Sequence, residues 1–195
     1  MMTAPDTSLA TRRGLPDTLR VLVKDYPREI WMAHDNLGAM ARFWLQRHDM
    51  FREFGSLLLT SVNDFREGHS NEQQFGQFFV PRLRLFLQQL NAHHHIEDEH
   101  YFPVFVKAET RLTKGFDLLD SDHHIIHDAL HDNADHADAM LQSLKDGRDK
   151  ALSAADRYAD NTQHLISMLL RHLEDEEDLI IPVILDQSEE HLGIS

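Results

Sequence analysis

The feature that most constrains how this chain can fold is a stretch that occurs twice. His93–Pro103 and His172–Pro182 both spell His-x3-Glu-x5-Pro, and their histidines, glutamates and prolines each stand 79 residues apart. Residues four apart share one face of an α-helix, so each copy aims an imidazole and a carboxylate at the same point. The correspondence reaches upstream: His48 lies 45 residues before His93, and His127 lies 45 before His172. The local text agrees too, with His48-Asp49-Met50-Phe51 matching His127-Asp128-Ala129-Leu130. The chain therefore reads as two copies of a helical hairpin. Each gives one histidine from its first helix and a His-x3-Glu pair from its second, and such pairs facing inward in a bundle make a metal site.

Apolar spacing supplies the helices. Residues 1–26 read as a loosely ordered lead-in with one amphipathic turn at Leu19, Val21 and Leu22, and 27–195 as the bundle domain. Asp25-Tyr26-Pro27 is a helix-start signal, and the first helix runs to about Phe65, with Asp35-Asn36-Leu37-Gly38 as an interruption or a fresh cap. Ser70-Asn71-Glu72-Gln73 has the form of a capping box for the second helix. Pro81 should kink that helix early or mark its true start, and Pro103 should bend or end it. After a turn over 110–115, the third helix spans about Phe116–Leu144 and closes at Gly147; the fourth spans roughly 150–187. Nothing alternates with period two. The expected fold is all-α, an up-down-up-down four-helix bundle of two pseudo-repeated hairpins.

In an antiparallel hairpin, residues at one height are equally far from the turn. Pairing His172 with His127 centres the second turn near 149.5, beside Gly147; pairing His93 with His48 centres the first near 70.5, within Gly68–Asn71. The rival His34 would centre it near 63.5, inside an apolar stripe. It also lies about 20 Å from His48 along one helix, at ~1.5 Å per residue. The copies differ in one place. His123 sits four residues before His127, and its counterpart is Trp44; the adjacent His124 competes with His123 to turn inward. One half thus offers His123, His127 and His172, the other His48 and His93, with Glu97 and Glu176 left to bridge. His69, His94, His95, His100, His131, His136, His164 and His191 are assigned to solvent or to supporting positions.

Composition narrows the partners. Fifteen histidines in 195 residues, with no six-histidine run, need a structural reason. A formal charge of −14 argues against nucleic acid and anionic membranes as partners. The absence of cysteine excludes disulfides, thiolate metal sites and iron–sulfur clusters. The apolar runs are too short to span a bilayer, and Met1–Asp6 lacks a signal core, so a cytoplasmic protein is expected. The sequence assigns no oligomeric state.

These residues carry a resemblance. His48, His93–Glu97, His123–His127 and His172–Glu176, with Tyr101-Phe102-Pro103 and Ile180-Ile181-Pro182, resemble the hemerythrin family and its wider group of HHE cation-binding domains over about residues 37–187. The resemblance implies a four-helix bundle around two non-haem iron ions with an oxo or hydroxo bridge, held by His48, His93, Glu97, His123, His127, His172 and Glu176. The unequal repeat itself, with Trp44 where the other copy has His123, leaves a vacancy on the Trp44 side, where O2, another small diatomic or peroxide is expected to bind. Storage, sensing or scavenging of such a ligand is the expected function. A diiron enzyme consuming peroxide or NO, and a protein of iron storage, repair or iron-linked regulation, are the alternatives. Two departures stand out: the last carboxylate is Glu176 at His+4, where the oxygen carriers place an aspartate at His+5, and the cysteine-bearing N-terminal segment of the iron-centre repair branch is absent. A ferritin-like oxidase would need two Glu-x2-His motifs, and the second copy has Leu179 at the histidine position.

Overall fold

A computed structural model describes residues 6–194. No strand occurs among them, and four long helices pack together: α1 (Ala39–Arg66), α2 (Glu72–Ile96), α3 (Thr113–Ser143) and α4 (Arg148–Gln187). Shorter helices lie at Arg28–Trp31, Phe102–Ala108 and Glu189–Leu192. No helix among the described residues is long and apolar enough to cross a membrane.

The connections follow from local chemistry. Gly68 takes a positive φ of 82°, and the next amide, His69 N–H, reaches back to the Asp64 carbonyl at 2.8 Å. That geometry closes a helix and suits a residue without a Cβ. The capping box forms one residue later than Ser70–Gln73: the Asn71 side chain accepts the Gln74 amide at 2.9 Å, and the Gln74 side chain accepts the Asn71 amide at 3.1 Å. Of the two readings of Asp35–Gly38, the fresh start holds. α1 begins at Ala39, and its amides at Met40 and Ala41 donate to the Glu189 carboxylate at 3.3 and 2.7 Å. α3 begins at Thr113 rather than near Phe116, because Glu109 accepts the Arg111 amide at 3.0 Å and starts a 3-10 turn that runs into the helix.

The prolines behave unequally. Pro81 and Pro182 lie inside helices that continue through them. Pro103 lies in Phe102–Ala108, which continues α2 without a break: the Phe102 amide still bonds the Glu97 carbonyl. The five residues before that helix, Glu97–Tyr101, form a π-turn.

The chain packs as two compact units. One gathers the residues up to Asp49, His94–His123 and the chain from Leu170 onward; the other comprises Met50–His93 and His124–Leu169. The second unit has an aromatic ladder, Phe65–Phe75–Phe79–Tyr158, with ring centroids 4.9, 4.8 and 5.3 Å apart. Phe51 meets Phe86 at 6.4 Å. Going back along α1 therefore goes forward along α2, as in an antiparallel pair. Its buried Asn133 is satisfied by Thr162 at 2.8 Å and Asn161 at 3.0 Å.

The first unit's apolar cluster joins Trp44, Phe105, Phe116 and Ile180–Leu185 to Leu15 and Leu22 of the lead-in and to Trp31 just after it. This corrects the expectation of a loose lead-in. Its described part is anchored at intervals, with Leu9, Leu15 and Leu22 each less than 5% exposed. The first five residues of that lead-in lie outside the described residues.

Candidate metal centre

Buried histidines and carboxylates collect where α1 to α4 carry the expected motif residues. Two sets have ligand atoms within 4.8 Å of one another: His94, His123 and His172, and His48, His93, Glu97 and Glu176. Of the seven, six are buried and His93 is half-buried. The sets are continuous. His172 Nε2 lies 3.0 Å from His123 Nε2 and 3.5 Å from a Glu176 oxygen, and His123 Nε2 lies 3.7 Å from a Glu97 oxygen. His48 Nε2 approaches the same Glu176 oxygen at 3.5 Å.

The rings are held by close packing. His94 stacks on His123 with centroids 4.1 Å apart and planes at 10°, and Phe102 lies against the same ring at 5.3 Å. His93 packs on Phe51 at 5.1 Å. Trp44 donates its indole N–H to His48 Nε2 at 2.9 Å, and its ring meets Tyr101 at 4.8 Å. The π-turn explains how Tyr101 and Phe102, adjacent in sequence, both reach the cluster: its wider turn takes one more residue than an α-turn.

The outward nitrogens of three rings face carboxylates. His48 Nδ1 donates to Glu177 at 2.9 Å, His123 Nδ1 lies 2.6 Å from Asp98, and His172 Nδ1 faces Asp122 at 3.5 Å. A histidine that donates outward presents the lone pair of its other nitrogen inward, which is the form that ligates a metal.

The electrostatics point the same way. Burial, joined by the charge of Glu97, pushes the Glu176 carboxyl well above the usual carboxylate range, and burial does the same to Glu97. The two carboxyls also interact side chain to side chain, so one is favoured in its protonated form. Burial pulls His172 down to about 3, so it stays neutral at ordinary pH. Paired carboxylates and neutral imidazoles in a buried site are costly to charge alone and become favourable around a cation. Imidazole with carboxylate suits iron, zinc, manganese or copper.

The sequence-derived candidates are distributed as follows. His48, His93, Glu97, His123, His172 and Glu176 all lie in the two sets, and His123 rather than the exposed His124 faces inward. Trp44 is buried against His48. His127 stands outside both sets, exposed, its ring 4.6 Å from that of His131. His94, expected in a solvated or supporting place, is 6% exposed and belongs to the three-histidine set.

The turn explains the difference at His127. Contacts across α3 and α4 pair His123 with His172 and Asn133 with Thr162, so the hairpin is centred near 147.5, at Gly147, rather than near 149.5. The position level with His172 is then His123, and His127 lies one helical turn beyond it. The signal for His94 was available, since Leu90, His94 and Glu97 continue the inward stripe in steps of four and three. It competed with an equally regular step through His93.

A bundle of four long helices, carrying a buried set of three histidines beside a set of two histidines and two glutamates, defines a cation-binding helical protein. The family comparison agrees: residues 39–184 match the hemerythrin HHE cation-binding domain, and the chain belongs to that family. Searches of curated proteins and of solved structures gave no match.

Proposed function

We propose that the centre holds two iron ions and reversibly binds O2 or a similar small diatomic, for storage, sensing or scavenging. The observation that carries this reading is the contiguity of two unequal donor sets, one of three imidazoles and one of two imidazoles with two carboxylates, which approach each other through Glu97 and Glu176. Two carboxylates between two sets suit a bridged metal pair. A nitrogen-rich set favours a ferrous state that releases its ligand over one that oxidises organic substrates. When bound, the iron pair supplies the redox change and the open coordination position. The chain's own contribution is orientation and exclusion of water. Glu177, Asp98 and Asp122 set the outward faces of His48, His123 and His172. Trp44, Tyr101 and Phe105 form an aromatic wall beside His48, with Trp44 centroids 4.8 and 6.1 Å from its two neighbours.

The test is metal analysis with absorption spectra before and after dithionite. Two iron ions per chain and an intense charge-transfer band on air oxidation, bleached by reduction, are expected. One ion per chain, or none, overturns the two-iron reading. Sustained turnover of peroxide or NO with an electron donor would replace binding by catalysis as the function.

A further inference from the structure

We propose that the N-terminal segment is part of the metal centre's support: Arg28, acting through Glu177, orients His48, and Arg12, acting through Asp122, orients His172. Both arginines lie before residue 39, where the family match begins, while the carboxylates they hold lie within it.

The Arg28 relay is short at every step. Arg28 Nη1 donates to one oxygen of Glu177 at 2.8 Å, and the other oxygen accepts from His48 Nδ1 at 2.9 Å. The same guanidinium donates to Asp178 at 2.8 Å and to the Glu174 carbonyl at 2.7 Å, and sits 4.8 Å over the Trp31 ring. Four anchors on one planar fork fix its direction, and the fork in turn aims the second Glu177 oxygen at the imidazole. Glu177 is 3% exposed, so water does not set that orientation instead.

Arg12 works from deeper in the core. Its side chain is fully buried, forked onto both oxygens of Asp122 and reaching Asp175 at 2.8 Å. Asp175 also accepts the Leu15 amide at 3.0 Å, which ties the segment's backbone to α4. Asp122 then faces His172 Nδ1. An ordinary surface ion pair contributes little. These pairs are placed against carboxylates that also meet a metal-ligating ring, and groups of that kind change metal affinity by about 10–100-fold when removed. Arg12 and Arg28 are positioning residues, since neither reaches the inward nitrogens.

This inference rests on the metal-site reading, so the probe is chosen to separate the two. Co2+ is titrated into the metal-free full-length chain, following its visible bands, for wild type and for Arg28→Met, Arg28→Lys, Glu177→Gln and Arg28→Met/Glu177→Gln. Arg28 is 41% exposed, so its replacement leaves the core intact. Arg28→Met is expected to weaken Co2+ binding about 10-fold and to alter the band shape at saturation. Lysine should restore part of the loss, and the double variant should bind no worse than Glu177→Gln alone. Arg12→Met should alter the bands in the same manner, read beside its thermal melt. A variant that melts lower yet keeps wild-type Co2+ affinity and bands overturns the proposal, as does additivity in the double variant. Wild-type Co2+ uptake without a two-iron form would overturn the proposed function and leave this inference standing; no uptake by wild type would overturn both.

Discussion

The two copies of His-x3-Glu-x5-Pro share their key letters and differ in backbone. In the second, His172 and Glu176 sit on an uninterrupted helix that carries Pro182 in its interior, and the residues before the proline, Ile180 and Ile181, join the apolar cluster. In the first, Glu97 opens a π-turn, Pro103 follows just after it in a helical run that continues to Ala108, and Tyr101 and Phe102 face Trp44 and His123. The donors differ as well. The first copy contributes His93, His94 and Glu97, whereas the position matching His94 is the buried Leu173. A helical repeat thus fixes which helices meet without fixing which neighbour of a motif residue turns inward. His94 against Leu173, and Trp44 against His123, make two similar hairpins supply unequal halves of a site.

The sharpest way to break that comparison is at the shared carboxylates. Glu176→Gln and Glu97→Gln should each weaken iron binding by more than the ~100-fold typical of a supporting group, measured by competition with a chelator. Losing a carboxylate should raise metal-free stability. Both carboxyls titrate in the native chain above their unfolded value of 4.5. Their penalty is absent below that pH and grows as pH rises toward the native value, by about 1.4 kcal/mol per unit. Metal-free Glu176→Gln should therefore melt above wild type at pH 8, with the gap closing toward pH 5. His172 acts oppositely. Its native value near 3 lies below the unfolded 6.5, so its share of stability is present above 6.5 and is lost as pH falls toward 3.

Next in size is His94→Leu, which writes the second copy's residue into the first. It should cost about 10–100-fold in affinity at the three-histidine set while leaving folding intact; unchanged affinity would return His94 to a packing role. Pro182→Ala should stabilise the chain by about 1 kcal/mol in urea unfolding, since an interior proline forfeits a helix bond and costs ~3 kcal/mol, partly offset by its packing. Pro103→Ala should change stability less, because the wider turn before it already accommodates the ring. Smallest of all, His127→Leu should alter neither metal content nor stability beyond ~0.5 kcal/mol, as for other exposed substitutions.

The four helices, the two hairpin turns and six of the seven clustered donors were legible because each rests on local spacing. His93, Glu97, His172 and Glu176 follow from a step of four, and His48 from the repeat. What failed depended on loop geometry. The equal-height rule was sound, but the second hairpin is centred about two residues earlier than the His127 pairing implied, and that shift moves the partner of His172 by one helical turn, from His127 to His123. The π-turn leaves no mark in residue type beyond Pro103 itself. Least legible were Arg12 and Arg28, whose partners lie 110 to 163 residues away. Ion pairs at that range leave no periodic trace, so a segment that looks like an idle leader holds the outer faces of the centre.

The Glu189 carboxylate on the first amides of α1 has a wider consequence. A Cβ at Gly38 would collide with that carboxylate, so a small residue at the mouth of one helix guards the seat of a side chain from the far end of the chain. Ten residues further along α1 is His48. Clipping the final short helix, or giving Gly38 a methyl group, would leave the opening turn of α1 free to fray beside Trp44. Changes made near the carboxyl end would then be felt as slower, looser seating of the ion.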